Sequence, residues 1–362
     1  MTSPALALKP SSPRLGFLGI GWVGLKRLES VMRLGSAEIA AVCDPARDRV
    51  ARARATATGA SVCSSLDEMV SLDLDGIVIC TPNAAHAEQC IECLDWGLPV
   101  FSQQPLARNA VETTAVVLEA QTQDCLLDVD LCYRHLAAVD AIMDLAGSGV
   151  LGDLYAARLC FHNACGPDQD WFHDPRFSGG GCVLDLGTHL IDLAVRVMAS
   201  QVESVESRCF AGGEPLASPT ESRVEDYASA RLRLESGAVV DLACSWNAAL
   251  GQDAAIEADF FGTKGGARLR NVGGSFHDFT ATHTQGRRSR LLVEPPDDWG
   301  PCALASWARR LGAGAGFDCE AWDLVHLARV IDAIYRRGPR SADRAHGPAH
   351  AAPAADSGAE RA

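Results

Sequence analysis

The chain has 362 residues, 48% of them hydrophobic and 22% charged, with a formal net charge of -14. That length accommodates two domains with separate cores. The acidity excludes a phosphate-backbone partner such as DNA or RNA, and no apolar run approaches the roughly 20 residues of a membrane helix. The composition predicts a soluble, cytoplasmic protein. Its fourteen cysteines are scattered singly along a long chain and are expected to stay reduced rather than form a disulfide framework. Cys90 and Cys93 fall inside one helical pattern with no second pair nearby, so no metal site is expected.

Residues 1–12 place no basic head before their apolar run and read as a disordered leader. From 13 to 134, the short apolar segments "RLGFLGIG", "EIAAVCD", "GIVICTP", "LPVFS" and "CLLDVD" alternate with the helical segments "WVGLKRLESVMRLG", "HAEQCIECLDWG" and "AVETTAVVLEAQTQ". The alternation predicts an α/β domain built on a doubly wound parallel sheet. From 135 to 340 the character changes. A helix, "HLAAVDAIMDLAGSG", leads into strict alternation, with Ala228, Ala230, Leu232 and Leu234 on one face and Ser229, Arg231 and Arg233 on the other. The turn "ESG" and the inward set Val240, Leu242, Cys244 and Trp246 complete a hairpin. This half is predicted to be an α+β domain with a large, open, mostly antiparallel sheet covered on one face. "DCEAWDLVHLARVIDAIYRRG" reads as a final amphipathic helix, and 341–362 as a disordered tail rich in Ala, Pro and charge.

Gly19, Gly21 and Gly24 form G-x-G-x-x-G between a predicted strand and a predicted helix, with Ile20, Trp22 and Val23 filling the loop. In that setting the backbone can approach a pyrophosphate and the helix N-terminus can bind it. Asp44 ends the second strand, where a carboxylate can accept from a ribose diol and would repel a 2'-phosphate. NAD is therefore favoured; Arg47 and Arg49 leave NADP possible if Asp44 swings aside. Thr81, Pro82 and Asn83 lie at the carboxyl end of the "GIVICTP" strand, the edge that binds ligands in open α/β sheets. His86, just beyond, reads equally as packing, capping or catalysis.

"SGGGCVLDLGTHLIDLAVRVM" is the richest stretch. Asp185, His189 and Asp192 recur at i, i+4 and i+7, which on a regular helix puts them on one face. A carboxylate one turn from an imidazole can form an acid/base pair; the alternative is a helix start with a solvated polar face. The glycines at 179–181 make its approach either mobile or closely packed. Trp171, Phe172 and His173 could wall a sugar ring or belong to the core, while His162, Asn163 and Asp170 are polar enough to meet hydroxyls.

Taken together, "GFLGIGWVG", "AVCDP", "VICTPNAAHAEQC", "SQQPLA", "GVLGDLYAARL" and "GGGCVLDLGTHLIDL" resemble, in order and over roughly residues 12 to 340, the Gfo/Idh/MocA oxidoreductases. That family is named for glucose-fructose oxidoreductase and inositol dehydrogenase. The resemblance implies an N-terminal Rossmann domain, a C-terminal sheet domain whose open face makes homo-oligomer contacts, and a sugar or cyclitol substrate between them. It also implies Asp185 and His189 as the pair that moves the proton. Family members usually carry Glu-Lys-Pro after the fifth strand, the lysine touching the reacting oxygen; this chain has Gln103, Gln104 and Pro105 there. A glutamine can orient a substrate, but it cannot supply the ammonium's charge. The only lysines are Lys9, Lys26 and Lys264, none placed to replace it, and Arg134 is the nearest candidate cation by family layout. The tight turn implies a cis Gln104–Pro105 peptide. Three activities are open at this point: an NAD(P)-dependent oxidoreductase with His189 as acid/base, oriented by Asp185; a redox-neutral glycosidase or lyase that keeps its NAD; or a non-catalytic NAD or sugar sensor.

Overall fold

The computed structural model describes residues 12–216 and 223–336; the expected tail, and the expected leader apart from Ser12, lie outside the described residues. The first half runs β1 (Arg14–Leu18), α1 (Trp22–Leu34), β2 (Glu38–Cys43), α2 (Arg47–Thr56), β3 (Ser61–Cys63), α3 (Leu66–Val70), β4 (Gly76–Ile79), α4 (Asn83–Asp95), β5 (Val100–Ser102), α5 (Ala110–Thr122) and β6 (Leu127–Val129). The strands form one parallel sheet in the order β3-β2-β1-β4-β5-β6. Strand order reverses between β1 and β4, and such a reversal opens a crevice at the carboxyl ends. Leu15, Phe17, Ile77, Val78 and Ile79 are fully buried, because helices cover both faces and neither can be polar. The α2–β3–α3 passage was not read from sequence: "RDRVARARAT" has no apolar stripe and buries only Ala53.

The second half runs α6 (Ala137–Gly147), β7 (Leu154–Asn163), a short 3-10 turn (Asp170–His173), α7 (Pro175–Ser178), a π-helical turn (Val183–Gly187), α8 (Thr188–Met198), β8 (Val202–Ala211), β9 (Glu214–Leu216), β10 (Tyr227–Leu234), β11 (Val239–Ser245), β12 (Ala254–Gly262), β13 (Gly266–Asn271), β14 (Phe279–Gln285), β15 (Arg288–Val293), α9 (Cys302–Gly312) and α10 (Trp322–Ile334). Its sheet has the order β15-β14-β13-β12-β7-β11-β10-β8-β9, antiparallel except where β7 runs parallel to β11. The alternation read over 228–246 holds: Ala228, Leu232, Leu234, Val240 and Cys244 are fully buried on the helix-covered face. On β7, Ala157, Leu159 and Phe161 share that face, and Arg158, Cys160 and His162 take the opposite one by strand alternation.

The closing helices depart from a single block over 135–340. α9 returns to the first sheet, where Trp307 packs against Phe101 with ring centroids 5.7 Å apart. α10, shorter than the reading of "DCEAWDLVHLARVIDAIYRRG", sends Leu324 and Val325 into the core behind β4–β6 and Val330, Ile331 and Ile334 into the core of the second sheet. The two halves are therefore clamped around the carboxyl edge of the parallel sheet.

Candidate active site

The glycine loop is built from backbone. Gly19 has φ +89°, and a Cβ there would stand 2.6 Å from the Cys80 carbonyl oxygen. Gly24 lets α1 approach so closely that a Cβ would meet the Gly19 carbonyl at 2.1 Å. Gly21 faces open space, and as the N-cap of α1 it offers no side chain to the first-turn N–H groups. Uncapped N–H groups at a helix N-terminus can donate to a pyrophosphate, so these residues fit a dinucleotide. Trp22 beside it is 73% exposed, while Ile20 is buried and Val23 half-buried. Asp44 fastens the loop: its carboxylate accepts from Ile20 N at 2.7 Å and from Ala46 N at 2.8 Å. Arg49, not Arg47, reaches it, at 3.7 Å.

Beyond β4, Thr81 donates to Gln89 Oε1 at 2.6 Å, Pro82 caps α4, and buried Asn83 donates its amide to Ser178 O at 2.8 Å. His86 is fully buried, with Nε2 2.7 Å from Thr81 O and Nδ1 2.7 Å from Pro105 O. Burial pulls its pKa below the ordinary imidazole value, against the two carbonyl contacts. It is a brace between the cofactor edge and the turn that follows β5. That turn contains the expected cis Gln104–Pro105 peptide.

The glycine approach to α8 is closely packed. A Cβ on Gly180 would lie 2.2 Å from the Tyr335 hydroxyl, and one on Gly181 1.9 Å from Glu225 O. Glu225, missed in the sequence, is fully buried and holds this turn: it accepts from Gly181 N and Val183 N at 3.0 and 2.9 Å, and from the Tyr335 hydroxyl at 2.7 Å. The π-helical turn then re-aims Asp185. Its Oδ2 accepts from Trp246 Nε1 at 2.9 Å, and its backbone carbonyl accepts from Gln104 Nε2 at 3.2 Å. Burial pushes the Asp185 carboxyl up to about 6, with hydrogen bonds from Trp246 and Gln104 opposing the rise. His189 packs beneath Tyr133, ring centroids 4.9 Å apart, and its Nδ1 has no hydrogen-bond partner. Burial lowers its pKa to about 4, against the pull of Asp192.

Three expectations are corrected here. Asp185, His189 and Asp192 do not act as one helical face, since the wide turn breaks the i, i+4 register, and among the described residues Asp185 is bonded to Trp246 rather than to His189. Arg134 is not a spare cation: it grips Asp192 through Nε at 2.9 Å and Nη2 at 2.6 Å. His162 lies on the far side of the sheet from α8, bonded to Ser245 Oγ at 2.8 Å and stacked near Tyr227. Trp171 does come near the site. It stacks on Phe172 at 3.8 Å, and Phe172 and His173 meet Trp246 edge-on.

Two family models match in tandem: the oxidoreductase family NAD-binding Rossmann fold over 14–131, and the GFO/IDH/MocA C-terminal domain over 139–268. The chain belongs to the Gfo/Idh/MocA oxidoreductases. It is an NAD(P)-dependent enzyme of that family. It is 25% identical over 262 residues to a myo-inositol 2-dehydrogenase of Thermotoga maritima, covering 72% of this chain and 75% of that one. Its fold matches KijD10, a 3-ketoreductase from Actinomadura kijaniata solved with NADP and TDP-benzene (TM-score 0.78, 18% identity, 90% and 97% coverage). It also matches a levoglucosan dehydrogenase solved with NADH and L-sorbose (TM-score 0.78, 18% identity, 90% and 96% coverage).

Within this Gfo/Idh/MocA site the lysine position is neutral, and no other cation stands free beside it among the described residues. Arg27, on α1, is bound to buried Asp130 and donates to Gly300 O at 2.8 Å. Lys26 faces Glu29 on the surface of α1, and Lys264 sits in the turn between β12 and β13.

Proposed function

We propose that this enzyme interconverts a secondary hydroxyl and a ketone on a sugar or cyclitol, with Asp185 as the proton acceptor and His189 and Gln104 as neutral groups that orient the substrate. The observation that carries this is Gln104, in the turn after β5, donating to the Asp185 backbone carbonyl at 3.2 Å at the carboxyl edge of the sheet that bears the glycine loop. A carboxyl poised near 6 matches proton transfer at neutral pH better than an imidazole lowered to about 4. This exchanges the roles first read for the two residues. The bound nicotinamide supplies the hydride acceptor or donor. Trp246 fixes the carboxylate, and the Trp171–Phe172 pair gives an apolar wall on which a sugar face can lie. Relatives named for inositol and levoglucosan support the substrate class.

NAD is the proposed partner, supported by Asp44. A carboxylate can take about four hydrogen bonds, and Ile20 and Ala46 use two, which leaves capacity for a ribose diol. The open face of the second sheet, with Tyr155 and Tyr227 exposed, is the proposed homo-oligomer contact. Fourteen free cysteines support a reducing, cytoplasmic setting; no helix among the described residues is long and apolar enough to cross a membrane.

The test is to release and identify nucleotide from the purified protein, then follow reduced-nicotinamide absorbance with sugars, cyclitols and their keto forms. Net NAD reduction by a polyol supports the reading. Bound NAD with elimination products and no net reduction replaces it with redox-neutral chemistry.

A further inference from the structure

We propose that the substrate brings the cation this site lacks: an amino sugar or aminocyclitol whose ammonium, close to the reacting carbon, sits between Asp185 and Gln104. The inference rests on the reading of Asp185 and Gln104 as the substrate site, and deepens it.

The first ground is a count of charges. Around α8, Asp130 and Asp192 are each matched by one arginine, Arg27 and Arg134. Asp185 is matched by none among the described residues; its carboxylate accepts from the neutral indole of Trp246. Of these three aspartates Asp185, the one beside Gln104, has no arginine; fully buried Glu225 also lacks one, but its oxygens are taken by Gly181 N, Val183 N and the Tyr335 hydroxyl. A buried carboxylate without a counter-charge is costly, and a ligand that neutralises it recovers that cost as affinity.

The second ground is hydrogen-bonding character. Gln104 spends an amide N–H on the Asp185 carbonyl at 3.2 Å, and its Oε1 is hidden from water with no partner. An orphaned acceptor next to an unneutralised carboxylate calls for a group made only of donors. An ammonium is that group, with three N–H bonds and no lone pair, whereas each sugar hydroxyl brings a single donor with lone pairs of its own.

The third ground is what glutamine removes. A lysine at 104 would stabilise a neutral polyol's alkoxide but repel an ammonium held nearby, and discrimination by like charge is strong in a desolvated site. Gln104 lifts that repulsion while keeping the shape of the turn. The step is otherwise the one proposed above: a hydride passes from the carbinol carbon to NAD, the hydroxyl proton goes to Asp185, and no bond to nitrogen is made or broken.

The experiment measures kcat/KM with NAD for matched probes: D-glucosamine against D-glucose and N-acetyl-D-glucosamine, 3-amino-3-deoxy-D-glucose against D-glucose, and scyllo-inosamine against scyllo-inositol. Calorimetric binding of the same probes is measured in parallel. The amino member of at least one set should be favoured by about tenfold or more, the size of one charge-assisted hydrogen bond. The N-acetyl form should lose that advantage. Gln104→Lys should reverse the order, and Asp185→Asn should erase the preference in binding even though turnover falls. A wild-type enzyme that binds and oxidises the neutral members as well as or better than the amino members overturns the ammonium proposal and leaves the oxidoreductase site standing. No NAD reduction with any probe counts against the site reading itself, and calorimetry then judges the proposal: tighter amino binding supports it, and equal or absent binding overturns it.

Discussion

The glycine loop and the proposed proton-handling site lie on the same edge of the parallel sheet, yet they are specified by different parts of the chain. The loop works through peptide groups and through space that side chains must leave empty, as at Gly19 and Gly24. The proton site works through side chains supplied from afar: Gln104 after β5, Asp185 in the π-helical turn, Trp246 after β11 and Tyr133 after β6. A backbone device tolerates little substitution and keeps its motif. A side-chain device can change its charge while the scaffold stays, which is what Gln104 records.

The contrast can be broken or sharpened by experiment. The largest effect is expected for Asp185→Asn, which removes the proposed proton acceptor and should lower kcat by roughly a hundredfold or more, with KM for an uncharged polyol little moved; a loss under tenfold would return the role to His189. Gly24→Ala places a methyl 2.1 Å from a carbonyl oxygen, and should cost up to about 3 kcal/mol in denaturant unfolding and weaken NAD binding. Unchanged NAD affinity would mean that the loop is not backbone-limited.

Stability against pH separates the two half-buried groups. Asp185, raised to about 6 from about 3.9 when unfolded, contributes stability below the unfolded value that is lost as pH rises through 6. His189, lowered to about 4 from about 6.5, contributes stability above the unfolded value that is lost as pH falls through 4. The two trends oppose each other across that window, so the wild type should be nearly level. Asp185→Asn should unmask a rise on the order of 2–3 kcal/mol with increasing pH, read from urea midpoints at fixed ionic strength. Trp246→Phe takes one donor from Asp185 and should cost about 1–2 kcal/mol while shifting the acidic limb of the rate profile upward. Arg231→Ala, which breaks an exposed, solvent-screened pair with Asp241 on the open sheet face, should leave the urea midpoint of the monomer essentially unmoved; a changed oligomeric state by light scattering would instead locate the interface there.

Both sheets were legible because their periodicities differ and because glycine and proline mark their turns. So were the nucleotide fingerprint and the turn at Gln104–Pro105. The electrostatic pairing was not. Arg134 is spoken for by a residue 58 positions away, and Glu225 meets Tyr335 across 110; no local pattern reports such contacts. Asp185 and His189 have helical spacing, but one wide turn, forced where Gly180 and Gly181 crowd Tyr335 and Glu225, directs them to different neighbours. His162 was misplaced because strand phase decides its face, and "LYAARLCFHN" alternates too weakly to fix that phase.

His86 has a consequence for how its two neighbouring turns are tied. Carbonyls stand at 2.7 Å from both ring nitrogens, and burial lowers the ring's pKa against them. A neutral ring owns one proton and donates to Thr81 or to Pro105, whereas a doubly protonated ring donates to both; a single proton therefore decides whether the turn after β4 and the turn after β5 are bound to one another.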